Sequence, residues 1–331
     1  MWPLIITCLF SLLASYALTR GLIPYFKRNN IVALDLHKKN KPKIANSGGL
    51  PVSLSIIYAL LLFVSFQTFI QKQTEQLVYL FASILAIFLI TIIGFLDDLD
   101  SGDVATGKRK IRLGIKQWLK PLLTLTGAIP LMAISIGETT MTLPFFGPFD
   151  FGIYYPLILI PLAVVFTSNA VNLLAGFNGS EAGMGIIYCS FLGLRSLLIG
   201  ETLAASIFLS TAAALISFIK FNWYPAKILS GDSLTYCLGA VVVTGVIVGN
   251  MEKSGVIIMT PFIIEFLLKI RSKFKASCLG KLRKDGKLES PCGNKIYSLT
   301  HIIMNLGKLT EKQVTLILIL IQIIFGLLIF V

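Results

Sequence analysis

The chain has 331 residues, 55% of them hydrophobic and only 14% charged, with a net charge of +13. Soluble domains carry about a quarter charged residues, and the mean hydropathy here is +0.83, which excludes a soluble globular protein. In so apolar a chain the basic excess reads as the Lys/Arg bias of cytoplasmic membrane loops, and a nucleic-acid partner is not expected.

Apolar runs near twenty residues recur along the whole length and predict an all-α polytopic membrane protein, one integral-membrane domain over 1–331. The first run, 2–26, is too long for a signal-peptide core and has no basic leader, so it reads as a retained helix. Further spans are predicted at 48–70, 77–96, 118–137, 151–169, 181–199, 202–220, 233–250, 254–270 and 312–331, about ten in all. The stretch 296–311 is amphipathic and is expected to lie on the surface. Between the fourth and fifth spans, "GETTMTLPFFGPFDFG" (137–152) alternates and is punctuated by Pro and Gly, which predicts a small hairpin.

Orientation follows from the bases. Lys27, Arg28, Lys38, Lys39, Lys41 and Lys43 share one side with Lys108, Arg109, Lys110, Arg112, Lys116, Lys220 and Lys227, and the loop 269–295 adds nine more. The other side shows only Lys72, Arg195 and Lys253. Both termini are therefore expected outside, with the chemistry on the cytoplasmic face. The five cysteines (Cys8, Cys189, Cys237, Cys278, Cys292) contain no CxxC pair and suggest neither a disulfide framework nor a metal cluster.

Five stretches on the predicted inner side carry chemistry. "DLHKKNKPKIANSGGLP" (35–51) combines His37, four lysines and a Gly pair, which reads either as a solvated basic loop or as a close approach to a ligand. "GFLDDLDSGD" (94–103) ends an apolar helix on Asp97 and Asp98, with Asp100 and Asp103 beyond. Acids at a helix C-terminus repel its dipole unless a cation is present, and paired carboxylates suit Mg²⁺. Lys120 falls at the start of the next span, a functional position unless it merely snorkels. "SNAVNLLAGFNGSEAGMG" (168–185) places Asn169 and Asn172 three apart, then Asn178 among glycines, and non-helical backbone at this depth is tolerated where it lines a cavity. In "FNWYPAKILSGDSLTY" (221–236), Asp232 opens a span and reads as a metal ligand or as a plain N-cap. The basic loop 271–295 suits phosphates or anionic headgroups, or follows from topology alone. Together these residues describe a phosphate-plus-metal site: Asp97, Asp98, Asn172 and Asp232 for Mg²⁺, with bases for a pyrophosphate.

"GFLDDLDS", "NAVNLLAGFNG" and "FNWYPAKILSGDS" resemble the three cytoplasmic motifs of the polyprenyl-phosphate N-acetylhexosamine-1-phosphate transferases, in the same order. Two of them look most like the archaeal and eukaryotic branch, which uses UDP-GlcNAc and dolichyl phosphate. The bacterial branch has a DGxDG pattern where this chain reads Ala175-Gly176-Phe177-Asn178-Gly179. The resemblance implies ten spans and a Mg²⁺ cofactor, with Mn²⁺ as a substitute. It implies Asn172 and Asp232 as metal ligands, Asp97 and Asp98 as catalytic carboxylates, Lys120 and Asn169 near substrate, and Asn178 reading the uracil. Eukaryotic members carry a HCPRHR-type motif in the last large inner loop. This chain has no His–Arg pair there, and Lys275, Lys281 or Arg283 is expected to supply the charge. The implied partners are UDP-GlcNAc, the lipid phosphate and membrane lipid, and a homodimer is left open. An archaeal cell membrane is favoured over the endoplasmic reticulum. The competing readings are the same chemistry on another UDP-N-acetylhexosamine and, more distantly, a secondary transporter, which would carry its charges at mid-bilayer.

Overall fold

The computed structural model describes residues 1–105, 114–143 and 147–331. Lys108, Arg109, Lys110 and Arg112 lie outside the described residues, as do the side chains of Asp100 and Asp103.

The chain runs α1 (Trp2–Arg28), a short hairpin β1 (Val32–Leu34) and β2 (Lys43–Ala45), α2 (Gly49–Phe66) and α3 (Leu77–Ala105). Then come α4 (Leu119–Thr124), α5 (Ile129–Ala133), and the hairpin β3 (Thr140–Leu143) and β4 (Gly147–Asp150). After these follow α6 (Ile160–Leu173), α7 (Ser180–Ile199), α8 (Thr202–Asn222) and α9 (Gly231–Val248). The remainder is α10 (Glu252–Ile258), α11 (Thr260–Arg271), β5 (Lys281–Leu282), β6 (Leu288–Glu289), α12 (Leu299–Leu306) and α13 (Glu311–Leu328).

Among the described residues eight helices are long and apolar enough to cross a membrane. The predicted fourth and ninth spans are interrupted instead. Leu119–Ala133 is a shorter helix that carries Pro121 and Pro130 and passes through a 3₁₀ turn at Leu125–Ala128. The ninth breaks at Met259, with Pro261 opening α11. Proline lacks a backbone donor and is tolerated in a helix's first turn, where Pro121, Pro130 and Pro261 all sit, so each accompanies a new helix start inside an apolar run. The hairpin at 137–152 is present as the antiparallel pair β3–β4, and the amphipathic stretch holds α12.

The core is built round α9, where every residue from Ser233 to Val248 is buried. A helix that is apolar on all sides is one packed on all sides. Helices α2, α3, α6 and α8 surround it. On the flank, α1 docks on α8 through a seam of small polar residues: Thr7, Ser11, Ser15 and Thr19 recur every fourth position and are wholly buried. Ser11 Oγ donates to the Ser210 carbonyl at 2.7 Å and Ser15 Oγ to the Ala214 carbonyl at 2.8 Å. Hydrogen bonding between close-packed helices replaces a hydrophobic drive that lipid does not supply.

Candidate active site

Helix α3 meets the N-terminus of α9 because Gly94 has no side chain. A methyl group there would lie 2.6 Å from the Asp232 carbonyl carbon and 2.7 Å from the Ser233 nitrogen, both of them backbone. One turn later Asp97 and Asp98 arrive at the start of α9, and each is 1% exposed. Asp98 is taken up by that helix: Oδ1 accepts from the Asp232 amide at 2.7 Å and Oδ2 from the Ser233 amide at 3.1 Å. It therefore caps α9 from another helix, satisfying donors that a helix start leaves without intrahelical partners. Gly231, at φ +71°, turns the chain where a side chain would strike the Asp98 carboxylate.

Asp97 faces the other way. Its Oδ1 accepts from the Ile115 amide at 2.6 Å, and its Oδ2 lies 2.9 Å from Lys120 Nζ. The same ammonium lies 2.9 Å from Asp232 Oδ2, and the Asn172 amide donates to that oxygen at 3.2 Å. Four of the predicted residues thus converge on one point, with Asp98 holding the helix that carries Asp232. Hard oxygen donors from two carboxylates and an amide fit a divalent cation, and the shared Lys120 ammonium marks the place where these acids already hold positive charge. Among the described residues no group of three or more His, Cys, Asp or Glu side chains is arranged to hold a metal by itself.

A cavity of about 220 Å³ opens here, lined by Asp98, Asn172, Asn178 and Asp232 among others. Its glycine-rich wall is tied down by Glu181, which accepts from the Gly176 amide at 2.5 Å and from the hydroxyls of Ser180 and Ser230. Asn178 is buried, with its side-chain amide on Asp35 at 3.0 Å and its backbone amide on Glu311 at 2.9 Å. A second, basic cleft of about 720 Å³ shares Leu36 with the first and is lined by Lys38, Lys39, Lys41, Lys281, Arg283 and Lys284. A third cavity, apolar and about 260 Å³, lies between α6, α9, α10 and α11, beside Thr167, Val242, Val246 and Met259.

The remaining predicted residues are placed differently. Asn169 braces α6 against α4, donating to Thr124 Oγ1 at 3.1 Å and to the Val165 carbonyl at 2.8 Å, and does not line the acid-bearing cavity. Arg283 pairs with Asp285 at 3.5 Å and Glu289 at 3.3 Å in its own hairpin. Lys281 is exposed on the basic cleft, and Lys275 is exposed and lines neither polar cavity. The loop that carries them is anchored by Cys278, whose thiol donates to the Ala175 carbonyl and is pushed up to about 12 by burial. Asp35, Glu181 and Glu311 were not among the residues singled out from sequence. The one local sign of Glu311 is the Thr310–Gln313 capping box around it, which explains it as a helix-start acid.

The family model described as Glycosyl transferase family 4 matches residues 80–250, a segment that holds Asp97, Asp98, Lys120, Asn172, Asn178 and Asp232. The chain is 35% identical to an inferred UDP-N-acetylglucosamine–dolichyl-phosphate N-acetylglucosaminephosphotransferase of Saccharolobus solfataricus, over 95% of this chain and 92% of that one. It is 28% identical to the Dictyostelium discoideum protein of that name, over 94% of this chain and 83% of that one. A phospho-N-acetylmuramoyl-pentapeptide-transferase of Clostridium perfringens is 28% identical, over 62% of this chain and 69% of its own.

Proposed function

The chain belongs to glycosyl transferase family 4, and on that premise we propose that it transfers GlcNAc-1-phosphate from UDP-GlcNAc to dolichyl (polyprenyl) phosphate. UMP leaves, and the product is dolichyl-pyrophosphoryl-GlcNAc, the first intermediate of lipid-linked oligosaccharide synthesis for N-glycosylation. The observation that carries this reading is the convergence of Asp97, Lys120, Asn172 and Asp232, two of which line one polar cavity. The names of the full-length relatives point to the same substrates.

An oxygen of the lipid phosphate attacks the β-phosphorus of the donor. The bond from that phosphorus to the bridging oxygen breaks, and the electron pair leaves with UMP. Such transfers depend on positioning and charge neutralisation more than on covalent help from the protein. Asp232 and the Asn172 amide oxygen would hold Mg²⁺ beside Asp97, and the ion would supply neutralisation of the pyrophosphate. Lys120, already shared by two of these carboxylates, neutralises a further phosphate oxygen. Asp98 fixes the helix end that aims Asp232. Asp97, with one oxygen on Lys120, would take a proton from the attacking phosphate. The apolar groove along α6 and α9 receives the polyprenyl tail, and Asn178, which lines the polar cavity, meets the base. In this reading the interrupted fourth and ninth segments complete ten crossings, both termini lie outside, and the site faces the cytoplasm of an archaeal cell.

The test uses purified protein with dolichyl phosphate, Mg²⁺ and radiolabelled UDP-sugars, following label into the lipid phase. Transfer from UDP-GlcNAc that is stopped by EDTA and by Asp232→Asn is expected. Transfer from another UDP-N-acetylhexosamine alone would keep the chemistry and change the donor, and no transfer from any donor would overturn the reading.

A further inference from the structure

Asn178 sits at the tip between α6 and α7, 3% exposed, and is held by two segments far away in sequence. Its backbone amide donates to Glu311 Oε1 at 2.9 Å, and its carbonyl accepts from Thr315 Oγ1 at 3.3 Å. Both belong to α13. Its side-chain Nδ2 donates to Asp35 Oδ2 at 3.0 Å, on the turn after β1. Lys38 joins the two anchors, pairing with Glu311 at 2.5 Å and with Asp35 at 3.2 Å. His37 lies 3.5 Å from Glu311, and its ring stacks on Phe177 at 4.8 Å and 23°. The peptide of Asn178 is thus fixed on both sides, and its amide is left with a single question: which end faces the cavity.

Asp35 answers it. An ion-paired carboxylate only accepts, so an amide opposite it must offer its NH₂. The carbonyl Oδ1 is then turned away from Asp35, and it accepts from none of the described residues, while Asn178 lines the cavity that Asp232 also lines. We propose that Asp35 is a specificity-determining positioning residue: by holding the Asn178 amide in one orientation, it makes the cavity present a hydrogen-bond acceptor to the nucleotide base. This rests on the uridine-donor reading above and deepens it. Uracil carries a donor at N3–H, which Oδ1 complements. Cytosine carries a lone pair at N3, which Oδ1 repels. A buried polar group built for one partner and left facing the wrong one is what discriminates closely similar ligands.

The experiment measures UDP and CDP binding by calorimetry, with Mg²⁺, to the full-length protein in nanodiscs. Wild type is expected to prefer UDP by at least about 10-fold. In Asp35→Asn the new amide can donate or accept, so Asn178 is free to turn over, and the preference is expected to fall within about 3-fold. The exchange Asp35→Asn with Asn178→Asp restores a donor–acceptor pair and leaves an acceptor toward the base, so the preference returns. A loss of packing alone would weaken UDP and CDP equally and leave the ratio unchanged. A folded Asp35→Asn protein with the wild-type ratio, or an exchange variant without recovery, overturns the assignment. If Asp35→Asn does not fold, Asp35→Ser carries the same expectation, since its hydroxyl also donates or accepts. Wild-type transfer from UDP-GlcNAc is measured alongside. Transfer with an unchanged Asp35→Asn ratio overturns this inference alone, whereas a wild type with neither transfer nor base preference overturns the proposed function with it.

Discussion

Gly94→Ala tests whether the crossing of α3 and α9 sets the active-site geometry. The added methyl would lie 2.6 and 2.7 Å from backbone atoms of Asp232 and Ser233, which cannot rotate out of the way. Carbon atoms rest at about 3.5–4.0 Å, so the helices must part by about 1 Å. Asp97 and Asp232 ride on those two helices and share Lys120 at 2.9 Å each, so the same 1 Å opens the bridge between them. Overpacking of this kind costs about 1–3 kcal/mol of stability, too little to unfold the bundle, while a 1 Å error at reacting groups costs about 10²-fold in rate. The expected result is a kcat near one hundredth of wild type with a modest loss of thermal stability, measured by label transfer to lipid and by unfolding in detergent. Gly21→Ala, on α1 with nothing within 4 Å of the new methyl, is the control and should match wild type. A Gly94→Ala enzyme within 3-fold of wild-type kcat would refute the claim that this close approach positions the carboxylates.

Lys120→Met removes the cation shared by Asp97 and Asp232; kcat in the transfer assay should fall by about 10² or more, and a drop under 3-fold would remove Lys120 from the site. Cys278 should resist maleimide at pH 8. With its thiol pushed up to about 12 by burial, the thiolate is about 10⁻⁴ of the population, against about 0.1 for an ordinary protein thiol of pKa 9.0, and only the thiolate reacts. Its labelling at pH 8 should therefore be far slower than that of an ordinary thiol, and rapid modification at pH 8 in the folded protein, read by mass spectrometry, would contradict its burial under the basic loop. Ser11→Ala together with Ser15→Ala cuts both side-chain hydrogen bonds from α1 to α8. At about 0.6 kcal/mol each, the pair should lower stability against SDS unfolding by about 1 kcal/mol without changing kcat.

Much of the acid cluster was legible in the sequence because each member breaks an apolar pattern. Asp97 and Asp98 end a helix where their charge opposes the dipole, Lys120 falls just inside a span, and Asp232 opens one. What the pattern could not tell was the division of labour. Asp98 reads as the twin of Asp97, yet its oxygens are occupied by the start of α9, 134 residues away in sequence. Asp35 and Glu311 were missed because each has a sufficient local explanation: one is an acid among lysines, the other sits inside a capping box. Their common partner Asn178 is 143 and 133 residues distant. Arg283 illustrates the opposite error, a base that looks available in the string but is matched by Asp285 and Glu289 two and six positions on. The fourth and ninth spans looked continuous because a hydropathy window averages over Pro121, Pro130 and Pro261 and so hides the breaks they accompany.

Asp232 and Asp35, which both line the polar cavity, share one device, a lysine held by two carboxylates from distant segments: Lys120 with Asp97 and Asp232, Lys38 with Asp35 and Glu311. Stability does not account for either. Taking both charges of a pair out of water costs several kcal/mol per ion, and apolar residues of similar size commonly do as well or better. In a chain with 55% hydrophobic residues an apolar substitute would be unremarkable at any of these positions. On the proposed function, the pairs would supply fixed charge and fixed hydrogen-bond polarity where the nucleotide sugar offers its pyrophosphate and its base. Preorganised dipoles of this kind need no rearrangement when the ligand arrives. Neutralising one end should accordingly leave the other working. Glu311→Gln is expected to weaken UDP binding while leaving kcat at saturating donor within about 3-fold, whereas Lys120→Met should lower kcat as well; a kcat loss in Glu311→Gln as large as that in Lys120→Met would mean that the two ends do not act separately.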